Sequence, residues 1–180
     1  RTPWSQDDGR HGILPGLYEL SVQAQGRELF RQQIIAMEGV QSELDLRYGA
    51  DHFSLRQTIG FPQIKFVPNQ KKPAQASLPV IEALAHLLKD YEAIELFGID
   101  VHTDANGGEE SNLVLTQARA TAIKNALVKE GIAPRRIRAM GYGSSQPLAT
   151  SASQEGRQLN RRVEYLILET AAEPRLIGDR

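Results

Sequence analysis

The chain has 180 residues, 41% hydrophobic and 24% charged, with 21 basic against 22 acidic side chains and a net charge of −1. That length holds one good domain, or one domain and a small companion, and the composition belongs to globular rather than disordered chains. The balanced charge removes the electrostatic footprint of non-specific nucleic-acid binding, and the absence of cysteine removes disulfides, thiolate metal sites and cysteine nucleophiles together.

No apolar run approaches the roughly 20 residues of a membrane-spanning helix. The start, RTPWSQDDGR, is polar and lacks a signal-peptide core. Two readings stay open: a cytosolic chain, or one whose leader or anchor has been removed. The basic clusters at Arg135, Arg136 and Arg138 and at Arg157, Arg161 and Arg162 read as solvated faces.

Residues 1–12 read as a loosely held lead. From Pro15 the pattern is strand-like: Tyr18, Leu20, Val22 and Ala24 alternate with polar residues up to Gly26. Phe30 to Met37 is apolar and less regular. Leu44, Leu46 and Tyr48 alternate again, Gly49-Ala50-Asp51 supplies a turn, and Phe53, Leu55 and Ile59 continue beyond it. Short strands at this spacing predict a small antiparallel β module over residues 1–60. Such a module is too small to bury a core alone, so packing on the rest of the chain, or on a longer module, must complete it. The GLYELSVQAQG run resembles a strand of carboxypeptidase-regulatory-like sandwich modules.

Gly60-Phe61-Pro62 marks the expected boundary to a second domain over residues 61–170. Ile64 and Phe66 predict a short strand, and residues 68–73 a loop. Ser77 is placed to cap a helix with Pro79 in its first turn, and Val80, Leu84, Leu87, Leu88 and Tyr91 follow at helical spacing. A strand is expected over Ile94 to Val101, with Gly98 interrupting it. Beyond Ser111 a helix carries Leu113, Thr116, Ala120, Ile123 and Leu127 on one stripe and stops at Gly131. Ile137 to Met140 predicts a brief strand, residues 141–147 a loop, 154–160 a helical turn, and Val163, Tyr165 and Ile167 a last strand. Residues 171–180 read as a loose tail. The expected fold is therefore α+β: a two-layer sandwich with helices on one face of a mixed sheet, preceded by the small β module.

Polar groups concentrate between Val101 and Ala120. Asp104 follows a strand end, and Gly107 and Gly108 allow a sharp turn. Asn112 and Arg119 are seven residues apart on a helix, about 700° of rotation, so they share an azimuth to within about 20°. An acid and an arginine held on rigid elements suit a zwitterion: the carboxylate accepts from an ammonium while the guanidinium forks onto a carboxylate. The plainer alternative is an Asp104–Arg119 salt bridge tying loop to helix, worth about 0–1 kcal/mol if partly exposed.

His102-Thr103-Asp104-x-x-Gly107, Asn112 and Leu115-Thr116-Gln117-Ala118-Arg119-Ala120 resemble the signature of OmpA-like domains, the peptidoglycan-binding modules named after outer membrane protein A. The likeness continues through Gly131-Ile132, Arg136-Ile137, Gly141-x-Gly143-x3-Pro147 and Asn160-Arg161-Arg162-Val163-Glu164, covering residues 62–168. It implies non-catalytic binding of the diaminopimelate of the peptidoglycan stem peptide, in the periplasm at the outer membrane or wall. Asp104 and Arg119 would hold the zwitterion, Thr103, Asn112 and Leu113 would line the pocket, and Arg162 would reach it from the last strand. Proteins built on such domains include porin-linked proteins, lipoproteins and flagellar-motor subunits. The family usually has Gly before His-Thr-Asp; here Val101 stands there.

An enzyme reading would pair His102 with Asp104, which share a strand face. The four histidines are scattered, with no His-Glu-x-x-His spacing for a metal and no Gly-x-Ser-x-Gly elbow, so no cofactor or metal is expected. The plain role of His102 is to support the loop through hydrogen bonds. Gly141-Tyr142-Gly143 lacks the third glycine of a dinucleotide fingerprint and reads as a turn. A third reading makes the N-terminal strands the functional surface, with exposed edges pairing to a partner such as an envelope or motor protein, and the module setting position or oligomeric state.

Overall fold

The protein is described by a computed structural model over residues 14–24, 27–49, 52–68 and 70–171. The expected lead, the turn residues Gly26, Ala50 and Asp51, and the tail from residue 172 lie outside these. Ten main elements follow one another: β1 (Gly16–Ala24), β2 (Arg27–Ala36), β3 (Ser42–Gly49), β4 (His52–Ile59), α1 (Leu78–Asp90), β5 (Ile94–His102), α2 (Glu109–Lys129), β6 (Ile137–Gly143), α3 (Gln154–Asn160) and β7 (Val163–Thr170). Short 3-10 turns precede α1 and β6.

Strands β3 to β7 form one sheet in the order β3-β4-β7-β5-β6. Its β5–β6 pair is parallel and the others are antiparallel. The helices cover one face, where Ile59, Phe97, Ile99, Val101, Tyr165 and Ile167 meet Leu84 and Leu88 of α1 and Ala120, Ile123 and Leu127 of α2 in a single core. This is the two-layer mixed sheet expected from the element order. The boundary read at Gly60, however, runs through the sheet, because β4 on one side of it pairs with β7 on the other. Each strand of an antiparallel pair takes half of its hydrogen bonds from the neighbour, so β3 and β4 are part of the α/β unit.

The first two strands pair with each other in a separate two-stranded sheet. No sandwich surrounds β1 among the described residues. The far end of β2 enters the main core through Ile35 and Met37. Buried Gln57 holds it there, accepting from the Ile35 amide at 3.2 Å and donating to the Ile35 carbonyl at 2.6 Å. The less regular apolar run is thus a full strand whose last residues are buried on both sides.

Three local expectations change. Ile64 and Phe66 make no strand; Phe66 forms one isolated bridge with Pro73. Ser77 sits at the α1 N-terminus with Pro79 behind it, but its hydroxyl makes no cap bond. It accepts instead from the Lys65 amide at 2.8 Å, fastening the preceding loop. The third change is on α2, where the buried stripe is Asn112, Thr116, Ala120, Ile123 and Leu127. Leu113 is 49% exposed.

Candidate functional site

Strand β5 lies inside the sheet, between β7 and β6, and ends at His102, so the loop after it starts from a rigid point. The Thr103 amide is held by the Gly143 carbonyl at 2.9 Å, and both Thr103 and Asp104 are buried. Asp104 folds the loop back on itself: its Oδ1 accepts from the Asn106 amide at 2.8 Å, the side-chain turn for which Asp is suited. Gly107 follows at φ 93°, a left-handed conformation that strains any residue with a Cβ. There α2 begins, with Glu109 and Glu110 in its first turn, where the helix dipole favours acids.

Asn112 is buried at the first turns of α2 and its amide reaches the Asp104 carbonyl at 3.4 Å. Two turns on, Arg119 shares its azimuth but lies about 10 Å further along the axis. The guanidinium rests 4.7 Å from the centre of the Phe66 ring, and its Nε donates to the Gln70 carbonyl at 3.0 Å. Among the described residues no carboxylate pairs with it. Burial draws its pKa down from the usual guanidinium value, and an arginine remains charged at neutral pH regardless.

The acid and the arginine are therefore not bonded to each other. Oδ2 of Asp104 pairs with Arg161, from the turn between α3 and β7. Arg162 points elsewhere: its Nε donates to Glu164 at 2.7 Å, and its terminal nitrogen to the Gln146 carbonyl at 3.2 Å. The expectation that Arg162 reaches the Asp104 site is corrected to Arg161. The physical reason is the turn ahead of β7: Arg161 is the residue that ends α3 and Arg162 leads into the strand, so their side chains leave the chain toward different partners. Leu113, next to buried Asn112, is an exposed residue at the rim. An open groove of about 770 Å³ runs between the loop at Gln70, Lys71 and Lys72 and the Ser111–Ala118 face of α2. Gln70, which receives the Arg119 bond, is one of its walls.

Four residues of the site's frame carry more than their sequence patterns suggested. Gly141 and Gly143 end β6 rather than open a loop. A Cβ on Gly141 would lie 2.1 Å from the Gln117 backbone nitrogen, so α2 packs against the bare main chain there. Gln117 completes the contact, accepting from the Gly141 amide at 2.9 Å and donating to the Ala139 carbonyl at 3.2 Å. Asn160 is fully buried: its Oδ1 accepts from the Leu148 and Ala149 amides, and its Nδ2 donates to the Ala149 carbonyl and the Ser151 hydroxyl. It holds the loop before α3 as a side-chain core.

The OmpA family profile matches residues 66–161, just over half of the chain and the whole of this site. The chain belongs to the OmpA family. Among curated proteins, this OmpA-family chain is 45% identical over 86 residues to outer membrane porin F of Pseudomonas fluorescens, covering 47% of the chain and 26% of the porin. It is 41% identical over 69 residues to the peptidoglycan-binding protein ArfA of Mycobacterium tuberculosis, covering 38% of the chain and 21% of that protein. The matched stretch thus spans well under half the length of these relatives. Among solved structures, the peptidoglycan-associated lipoprotein of Burkholderia pseudomallei shares the fold at TM-score 0.51 and 24% identity, over 58% of this chain and 87% of the lipoprotein.

The OmpA-family domain is a binding module and not an enzyme. His102 makes no pair with Asp104: its nearest acid is Glu164, with Nε2 at 3.8 Å from Oε1. Nor does it support the loop by hydrogen bonds, because neither ring nitrogen has a protein partner. It stacks on Tyr142 instead, ring centres 5.1 Å apart and planes within 9°. Val101, where the family usually has Gly, is buried in the core under the helices and leaves the Asp104 loop unobstructed.

Proposed function

We propose that this chain binds cell-wall peptidoglycan non-covalently through the diaminopimelate of the stem peptide, tethering an envelope protein to the wall. Membership of the OmpA family and the match to a relative named for peptidoglycan binding support the wall as the ligand. The observation that carries the finer reading is Arg119: a partly desolvated cation beside an open groove, with no acid of its own. A ligand carboxylate there gains two parallel charge-assisted bonds without breaking an existing ion pair.

At the other end, Asp104 spends one oxygen on the Asn106 amide and the other on Arg161. A carboxylate accepts about four hydrogen bonds, so an ammonium can share it with Arg161 or displace that more exposed side chain. The Arg119 side chain leans toward the helix N-terminus, as helical side chains do, which shortens the span to Asp104. Thr103 and Asn112 fix the loop from beneath and Leu113 forms the rim. In this reading Arg161 is the second arginine of the site. The same reading places the chain in the envelope, at the wall or outer membrane; no described helix is long and apolar enough to cross a membrane.

The test is co-sedimentation with purified sacculi. Arg119→Ala and Asp104→Ala should each reduce pelleting by at least about tenfold in affinity, since each strands a charge in the complex. Free diaminopimelate should compete, and a stem peptide with lysine in its place, whose side chain ends in an ammonium with no carboxylate beside it, should not. Equal pelleting by the wild type and both variants would refute the clamp. Competition by the lysine peptide as strong as that by diaminopimelate would refute diaminopimelate as the recognised group.

A further inference from the structure

Strand β3 lies at one end of the five-stranded sheet, with β4 on its inner side and no described strand on its outer side. Its hydrogen-bond phase shows which groups that outer side presents. The Gly60 amide donates to the Gln41 carbonyl at 2.7 Å, and the β3–β4 register runs on from that pair through Glu43↔Thr58, Asp45↔Arg56 and Arg47↔Ser54. Bonded and non-bonded pairs alternate along an antiparallel ladder. Glu43, Asp45 and Arg47 therefore turn their amides and carbonyls inward to β4, and Leu44, Leu46 and Tyr48 turn theirs outward.

We propose that this edge pairs with the same edge of a second copy of the chain, antiparallel about a two-fold axis through Leu46, joining the two sheets into one. In that register the outward groups of Leu44, Leu46 and Tyr48 meet those of Tyr48, Leu46 and Leu44. Asp45 then falls opposite Arg47 of the second copy, twice by symmetry. These are non-bonded pairs, the ones that bring side chains closest. Asp45 and Arg47 already attract each other within one chain, at 2.7 Å, and both are solvent-accessible. Leu44 and Leu46, 37% and 38% exposed, lie on the opposite face of the strand and gain cover from their counterparts.

Adjacent registers do not work. An axis through Asp45 sets that carboxylate against itself, and one through Leu44 sets Glu43 against Asp45; like charges directly opposite are destabilising. The strand has no proline and no bulge in its register to block pairing. The isologous pairing closes, because it uses the β3 edge of both copies.

Sedimentation equilibrium of the whole chain should show a reversible monomer–dimer. Arg47→Asp or Asp45→Arg should each raise the dimer Kd about tenfold by creating two like-charge pairs, and combining them should restore it. Because the chain has no cysteine, an oxidised mixture of Asp45→Cys and Arg47→Cys should form disulfide-linked dimers. Neither variant should do so alone, because its two thiols sit diagonally, beyond the ~7 Å Cα reach of a disulfide. A monomer at all concentrations, a dimer indifferent to the charge changes, or cross-linking of Asp45→Cys to itself would each overturn the pairing.

Discussion

At the scale of single residues, the clamp and its frame differ in how well they could be read. Asp104 and Arg119 stand out as charges in an ordered pattern, and a shared azimuth for Asn112 and Arg119 follows from helix geometry alone. What spacing could not supply was the true centre of the stripe. A leucine was the natural member, yet Leu113 is half exposed and the amide beside it is buried, because the β5 loop closes over Asn112. Likewise Arg161 and Arg162 are equivalent in composition, and only the path of the turn between α3 and β7 decides which meets Asp104. Gly141 is the sharpest case. Its φ is not in the left-handed region, so its need for glycine is purely one of space. In Gly141→Ala the new methyl would sit 2.1 Å from a helix backbone that cannot step aside singly. The expected loss is about 3 kcal/mol or more, read as a lower urea midpoint with an unchanged slope.

At the scale of elements, periodicity located the helices well where one face is buried and the other wet, as in α1. In β3 the alternation marks a strand whose leucines stay exposed, and periodicity failed where both faces are covered, as at the end of β2, or where a polar group replaces an apolar one for a specific bond. Thr116 is such a group: fully buried, it accepts from the Gly143 amide at 2.8 Å and donates to the Asn112 carbonyl at 2.9 Å. One hydroxyl thus joins the first turns of α2 to the end of β6. Thr116→Val keeps the volume and leaves the Gly143 amide buried without a partner. The expected cost is about 1–3 kcal/mol, and hydrogen exchange should show Gly143 losing protection before the centre of α2 does. A variant as stable as the wild type would mean that the bond contributes nothing net.

At the scale of the whole molecule, the sheet face away from the helices sets the response to acid. That face carries Arg56, Asp100, His102, Arg138, Arg162 and Glu164, and its centre is buried: Asp100 and His102 are each 2% exposed. Burial, helped by the positive charges of Arg162 and Arg56 and opposed by Glu164, lowers the His102 pKa from 6.5 to about 4. The unfolded chain therefore takes up this proton first as pH falls. The stability that comes from a neutral His102 is complete above pH 6.5 and drains away down to about pH 4, where the folded state is protonated too. The interval corresponds to about 3 kcal/mol. Asp100 works against this trend. Burial raises its carboxyl above the ordinary range even though Arg138 approaches at 3.2 Å and Arg56 at 3.4 Å, so the folded state binds that proton first and recovers part of the loss. His102→Phe keeps an aromatic ring against Tyr142 and removes the titration. Urea unfolding at pH 7 and pH 4 should then show the variant losing about 3 kcal/mol less than the wild type across the interval, whatever the substitution costs at pH 7. Equal losses in the two proteins would place the acid sensitivity in the carboxylates and not in the stacked histidine.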